Sequence, residues 1–241
     1  MAGRVFVLGH RGASRARLEN TLAAFAKARE FGADGVELDV RRTADHELVV
    51  HHDSHVDDFG LIVEQPLARL RAARPEIPTL SEALEACAGM LVNIEIKCLP
   101  WEPDADTPDR EVVRGVVALV RAAEFIPVAD VIVSSFDLGA LDACRSFAPE
   151  IATGWLTSGQ DVPAAAKIAA EHGHDWLNPD RDAALRASSG DIAAAHKAKL
   201  RVNAWTIDDP AEIATLAKAG VDAIITNVPD VALESLRAPR R

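Results

Sequence analysis

The chain has 241 residues, 49% of them hydrophobic and 26% charged, a composition ordinary for a globular protein and a length sufficient to bury a core without disulfides or a structural metal. Its formal net charge of −11 argues against a nucleic-acid-binding surface, where clustered Lys and Arg are expected, and means that an anionic substrate must be met by local positive charge. Cys87, Cys98 and Cys144 are odd in number and outside any CxxC pair, so they read as reduced thiols of a cytoplasmic protein with no zinc motif.

The first hydrophobic run spans only residues 5–8, too short for a leader or a membrane span, and reads as the start of a strand at 5–9. A helix is predicted over 19–31 and a strand over 35–40. Residues 47–78 break the rhythm with an extra strand at 48–51, then a long connection in which 65–73 reads as a short helix. Long connections in compact domains are often lids or binding loops. Thr79 and Glu82 are spaced as a capping box for a helix over 81–88, ahead of a strand at 91–96 and a helix at 110–123. Strands at 131–135, 152–155, 176–178, 202–205 and 223–226 follow, with a helix at 211–219 and with Asp137 and Asp209 as N-caps. Apart from the extra strand, eight strands alternate with helical segments. That pattern predicts an α/β fold, a (β/α)8 TIM barrel with a short insertion after its second strand, as a single domain over residues 1–241. A doubly wound open sheet is the rival architecture.

Strands of a parallel barrel are normally apolar on both faces, and two of these are not. In GVELDV, Glu37 and Asp39 alternate with valine and leucine; in VNIEIK, Asn93, Glu95 and Lys97 do the same. Period-two geometry puts each charged set on one face. The apolar set belongs under the helices, so the charged set must point into the barrel, where isolated carboxylates are costly. A buried salt-bridge cluster around Lys97 is one reading, but it leaves uncompensated negative charge. A divalent cation answers that deficit, and an all-oxygen donor set favours Mg2+ or Ca2+ over zinc. His10 and Arg11 follow the first strand, and His52 and Asp53 follow the extra strand. All four belong at the C-terminal rim, where barrel active sites form.

These residues together resemble the glycerophosphodiester phosphodiesterase family. The likeness is carried in order by LGHRGAS (8–14), ENTLAAF (19–25), GADGVELDVRRTAD (32–45), VVHHD (49–53), IPTLSEAL (77–84), LVNIEIK (91–97), VIVSSFD (131–137), NAWTID (203–208) and GVDAIITNVP (220–229). The resemblance implies Glu37, Asp39 and Glu95 as metal ligands and His10 and His52 as the acid–base pair. His51 is the less expected member of its doublet, because His52 directly precedes Asp53. Arg11 and Lys97 would contact phosphate, Glu19 would border the site, and Trp205 would line the rim or serve as a barrel-packing aromatic. Two departures stand out: Leu18 replaces the family's usual proline before Glu-Asn, and SHVDDFG (54–60) replaces its usual stretch after His-Asp. The second bears on substrate choice.

The resemblance implies hydrolysis of a small-molecule glycerophosphodiester to glycerol 3-phosphate and an alcohol, with no nucleic-acid partner and no stable membrane association. One histidine would deprotonate the attacking water or glycerol hydroxyl, and the other would protonate the leaving alcohol. A lysophospholipase D-like lipid phosphodiesterase and a catalytically silent phosphodiester-binding module are the alternatives. Four weaker signals read as structural. The acidic run 102–109 lacks EF-hand spacing and reads as a solvated loop. His172 and His174 flank Gly173 at a helix end, where a cap or surface role suffices. No GxSxG elbow surrounds Ser134 and Ser135, and RAPRR at 237–241 reads as a frayed tail.

Overall fold

The computed structural model describes residues 4–97, 99, 101–102 and 104–237; Cys98 and residues 238–241, part of the expected tail, lie outside them. The described elements in chain order are β1 (Phe6–His10), α1 (Leu22–Phe31), β2 (Gly35–Arg42), β3 (Leu48–Val50), β4 (His55–Val56), β5 (Gly60–Leu61), α2 (Leu67–Ala73), α3 (Leu80–Ala86), β6 (Leu91–Ile96) and α4 (Glu111–Ala122). The second part comprises β7 (Val131–Ser135), α5 (Leu138–Phe147), β8 (Ala152–Thr157), α6 (Val162–Glu171), β9 (Trp176–Pro179), α7 (Arg181–Arg186), α8 (Ser189–Lys197), β10 (Arg201–Ala204), α9 (Pro210–Ala219), β11 (Ala223–Thr226) and α10 (Pro229–Arg237).

Strands β1, β2 and β6–β11 pair in parallel, and β1 pairs with both β2 and β11. The sheet therefore closes into an eight-stranded barrel, which excludes the open-sheet rival. The extra strand β3 lies antiparallel on β2, with Val40 opposite Val50. The inserted segment folds as the β4–β5 ribbon and α2, packed on its own small core of Val49, Val56, Ile62, Leu70 and Ile77.

The apolar set of each strand packs under the helices, as the alternation requires. Val36, Leu38, Val40, Val92, Ile94 and Ile96 are buried in the shell between barrel and helices. Helix α4 buries Val112, Val113, Val116, Val117 and Val120 there. A separate interior cluster of Leu8, Ile132, Trp176, Ala223 and Ile225 fills the other side of the strands. The remaining inward positions are polar and buried, among them Glu37, Asp39, Asn93, Glu95, Ser134, Asn178 and Asn203. Parallel register sets His10 level with Glu37 and Asn93, and Asp39 level with Glu95.

Local chemistry explains most element ends. Thr79 and Glu82 form the expected capping box, and Asp137 and Asp209 cap α5 and α9. The helix expected from residue 19 begins at Leu22, because Thr21 is its cap, accepting from the Ala24 N–H, and Asn20 turns the chain at φ 55°. The short helix begins after Pro66, and the extra strand stops at Val50, ahead of His51. Trp205 lies one residue past β10, bridged to Asp180.

Candidate active site

The C-terminal rim brings the predicted residues together, beginning with the turn after β1. Arg11 and Gly12 both take left-handed backbone, φ 56° and 81°. A side chain at position 12 would sit 2.6 Å from the Ala24 backbone carbon, so glycine lets this turn press on α1. The turn aims the Arg11 N–H at Glu37 Oε2, 2.9 Å away. The Arg11 guanidinium lies 3.2 Å from Asp39 Oδ2 through Nε and 2.7 Å from Glu19 Oε1 through an Nη.

Glu37, Asp39 and Glu95 each offer an oxygen within 4.8 Å of the others. Lys97 donates to Glu95 Oε1 at 2.9 Å and lies 3.7 Å from Asp39 Oδ1. Asn20 donates from Nδ2 to Asp39 Oδ2 at 2.8 Å. Burial, then the charges of Asp39 and Glu95, pushes the Glu37 carboxyl well above its ordinary range. Burial pushes Glu95 up to about 7, against the pull of Lys97. Burial would raise Asp39 too, but Lys97, Arg11 and His52 together with the Asn20 amide overcome it and hold Asp39 low. Glu37 Oε1 and Asp39 Oδ1 are buried with no hydrogen-bond partner. Unsatisfied carboxylate oxygens facing one another are the donor set a hard divalent cation requires, so these residues fit such an ion.

Two imidazoles flank this cluster. His10 holds Asn227 Oδ1 through Nδ1 at 2.7 Å and places Nε2 3.9 Å from Glu37 Oε2. His52 holds Asp53 Oδ1 through Nδ1 at 2.7 Å. Each Nδ1 faces an oxygen that can only accept, so Nδ1 carries the proton and Nε2 is the free nitrogen. Burial is the main influence lowering both histidines below their ordinary value; Arg11 adds to it at His10, and Lys97 and Arg11 add at His52. His51 instead turns Nδ1 to the Asp53 carbonyl oxygen, whereas His52 faces the Asp53 side chain.

Glu19 borders the site through Arg11 and is half exposed. Trp205 donates from its indole to the Asn178 carbonyl at 2.8 Å and meets the Phe136 ring edge-on at 5.6 Å; it also packs on the interior cluster. A cavity of about 270 Å3 opens beside His52, lined by Glu19, His51, Asp53, Asp57, Arg74 and Glu76 among others.

Four positioning residues had no expected role. Asn227 orients His10 and is itself held by Asp208, which accepts from its backbone and side-chain N–H groups at 2.8 Å each. Asn20 holds Asp39. Buried Arg41 donates to the His52 carbonyl oxygen at 2.8 Å and pairs with Glu102 and Asp104. All four lie in the motif segments ENTLAAF, GADGVELDVRRTAD, NAWTID and GVDAIITNVP, and membership of those segments was the signal available. Asp104 corrects the reading of 102–109 as a solvated loop, since it is buried against Arg41. Ser134 accepts from Asn93, and Ser135 donates to the Ile96 carbonyl, consistent with the absence of a serine elbow.

A parallel barrel with a carboxylate trio, two cations and two histidines at its C-terminal rim defines the class as a TIM-barrel hydrolase suited to an anionic ester. Comparison with known proteins gives the family. Residues 10–231 match the glycerophosphoryl diester phosphodiesterase family. The chain is 31% identical to the glycerophosphodiester phosphodiesterase of Caldanaerobacter subterraneus subsp. tengcongensis, over 97% of this chain and 98% of that one. Among solved structures, it superposes with a TM-score of 0.83 on an Oleispira antarctica phosphodiesterase in complex with the product sn-glycerol-3-phosphate, at 27% identity and 97% coverage of each chain. The glycerophosphodiester phosphodiesterase of Thermotoga maritima gives 0.79 at 27% identity, covering 97% of this chain and 99% of that one. The chain belongs to the glycerophosphoryl diester phosphodiesterase family and is a phosphoric diester hydrolase. No described helix is long and apolar enough to cross a membrane.

Proposed function

We propose that this enzyme hydrolyses glycerophosphodiesters to sn-glycerol 3-phosphate and an alcohol, with His10 and His52 as the acid–base pair and a divalent cation on Glu37, Asp39 and Glu95. The observation that carries this reading is the pair of imidazoles, each tied at Nδ1 and flanking buried carboxylate oxygens without partners. The product complex of the Oleispira relative supports the substrate class. Bound there, Mg2+ or Ca2+ would supply positive charge against the phosphoryl oxygens.

Arg11 and Lys97 add the positive charge that an anionic diester needs in a protein of net charge −11. Glu19 holds Arg11 from the rim side, and Trp205 offers an aromatic edge to the glycerol part. One neutral histidine takes the proton of the attacking hydroxyl through Nε2 as that oxygen bonds to phosphorus. The other histidine, protonated, gives its proton to the departing alkoxide as the phosphorus–oxygen bond breaks. The attacking hydroxyl belongs to water or to the adjacent glycerol carbon. Buried, unpaired Cys87 and Cys144 support a cytoplasmic location.

Metal-stripped protein assayed on a panel of glycerophosphodiesters, with Mg2+, Ca2+ or Mn2+ restored, tests this. Metal-restored release of glycerol 3-phosphate is expected, and His10→Ala or His52→Ala should lower turnover at least ~100-fold. Full turnover by either folded variant removes that histidine from the chemistry. A second reading, a lysolipid phosphodiesterase, is favoured by one feature. An apolar groove of about 420 Å3, lined by Leu99, Trp101, Phe136, Trp155 and Leu156, adjoins Trp205 through Phe136. A lysophospholipid in the same panel decides between them: faster turnover than of short-chain diesters supports the lipid reading.

A further inference from the structure

At the barrel end remote from the carboxylate cluster, α6 closes in His172-Gly173-His174. Gly173 takes φ 74°, its N–H reaching the Ala170 carbonyl at 3.0 Å and the His174 N–H reaching that of Ala169 at 3.0 Å. This is a Schellman turn, which needs the left-handed glycine between the two histidines. The reversal lays the imidazoles side by side, centroids 5.8 Å apart and planes 15° from parallel, against Asp142 on α5.

His172 Nδ1 lies 3.0 Å from both Asp142 oxygens, and His174 Nε2 lies 3.8 Å from Oδ1. One atom from each residue falls within 4.8 Å of the others. His172 and Asp142 are open to solvent, whereas the His174 side chain is fully buried. A surface or capping role therefore accounts for His172 but not for His174, whose Nε2 has no hydrogen-bond partner. Its other nitrogen is committed, since Nδ1 lies 3.1 Å from Thr153 Oγ1. Asp175 accepts the Thr153 N–H at 2.9 Å and lies 3.5 Å from that hydroxyl. A His–Thr–Asp chain of this kind fixes ring orientation and tautomer, as partners behind metal-bound histidines do. Arg145, the nearby cation, is turned to Asp175 at 3.6 Å.

We propose that Asp142, His172 and His174 form a second metal site, a two-histidine, one-carboxylate clip for zinc or a neighbouring divalent transition metal. Two imidazoles and a carboxylate suit those ions, whereas the all-oxygen catalytic cluster suits Mg2+ or Ca2+. Three protein ligands leave a tetrahedral position for water. With Nδ1 committed to Thr153, Nε2 is the nitrogen of His174 left to coordinate. The site joins α5 to the α6–β9 turn at the barrel's N-terminal end, the end associated with stability rather than catalysis. Zinc there staples the shell without entering the reaction.

The test uses full-length protein carrying Glu37→Gln and Asp39→Asn, which disable the catalytic cluster, titrated with Zn2+ by calorimetry and by imidazole 15N NMR. One zinc per chain is expected, bound through His172 Nδ1 and His174 Nε2. Adding His172→Ala or Asp142→Asn, both at exposed positions, should weaken it at least ~10-fold. In the otherwise unaltered enzyme either substitution should leave diester turnover unchanged, and in the double variant it should abolish the zinc-dependent rise in Tm. Absence of zinc binding by the folded double variant overturns the site, as does binding indifferent to both added substitutions.

Discussion

Replacing Asn227 by alanine separates the orientation of His10 from its chemistry. The substitution removes the oxygen 2.7 Å from His10 Nδ1 while leaving the imidazole, Arg11 and the carboxylates in place. In the proposed mechanism His10 carries a positive charge during turnover, and a hydrogen bond from a charged donor contributes ~1.5–3 kcal/mol. At about 1.4 kcal/mol per decade, kcat should fall by roughly 10- to 150-fold with KM little changed. Burial and Arg11 hold His10 below its ordinary value, and the bond to Asn227 opposes them. Its loss therefore shifts the limb of the pH–rate profile that reports His10 to lower pH. The assay is steady-state release of glycerol 3-phosphate across pH, with circular dichroism confirming the fold. Ser14→Ala is the control, since Ser14 also donates to Asn227 Oδ1, at 2.9 Å, without touching His10. Turnover near wild type in Asn227→Ala would refute the reasoning, as would an equal loss in Ser14→Ala.

Gly12→Ala should destabilise the protein by more than ~2 kcal/mol, because a left-handed alanine is strained and its methyl would meet the Ala24 backbone at 2.6 Å; an unchanged denaturation midpoint would contradict this. Burial pushes the Cys87 thiol up to about 12 and Cys144 up to about 11, so neither should react with a maleimide near pH 8 until the chain unfolds. The sign for stability follows: the folded state keeps these protons after an unfolded thiol loses its own near ~8.5. Stability should therefore fall as pH climbs from there toward about 12, and Cys87→Ser should flatten that fall.

The barrel was legible because its strands are punctuated by caps and turns and its helices fill the gaps. The carboxylate trio was legible for the opposite reason, since Glu37, Asp39 and Glu95 violate the apolar pattern at inward positions. Period two placed them on one face, and only barrel closure showed His10 level with Glu37 and Asp39 level with Glu95. Asn227 and Asp208 carry no such violation. An asparagine beside a strand end is common, and its value lies in a 217-residue separation from His10 that local pattern cannot bridge. Asp104 was hidden likewise: it read as part of a solvated loop, and only folding buried it against Arg41. The small helices α7 and α8 lack a wide apolar stripe, and their ends are instead marked by Asp180 and the Ser188–Asp191 capping box.

The carboxylate cluster also carries a prediction about what the site costs the fold. Three buried acids face two cations, Arg11 and Lys97, and Glu37 Oε1 has no partner. Burial of a carboxyl without compensation favours its neutral form, so a neutral isostere relieves the metal-free barrel. Glu37→Gln keeps an acceptor for the Arg11 N–H, 2.9 Å from Oε2 in the parent, and brings an N–H group among carboxylates within 4.8 Å. By analogy with buried ion clusters replaced by neutral groups, the chelator-treated variant should gain about 1–2 kcal/mol, or ~2–8 °C in Tm for a chain of this size. Adding Mg2+ or Ca2+ should then raise the Tm of wild type more than that of the variant, because binding to the native state alone stabilises it. Turnover should fall in the same variant, a stability gained where function is lost. A lower Tm for metal-free Glu37→Gln would show that Arg11 and Lys97 already compensate the Glu37 charge, and an equal metal-induced shift would remove Glu37 from the proposed ion's ligands.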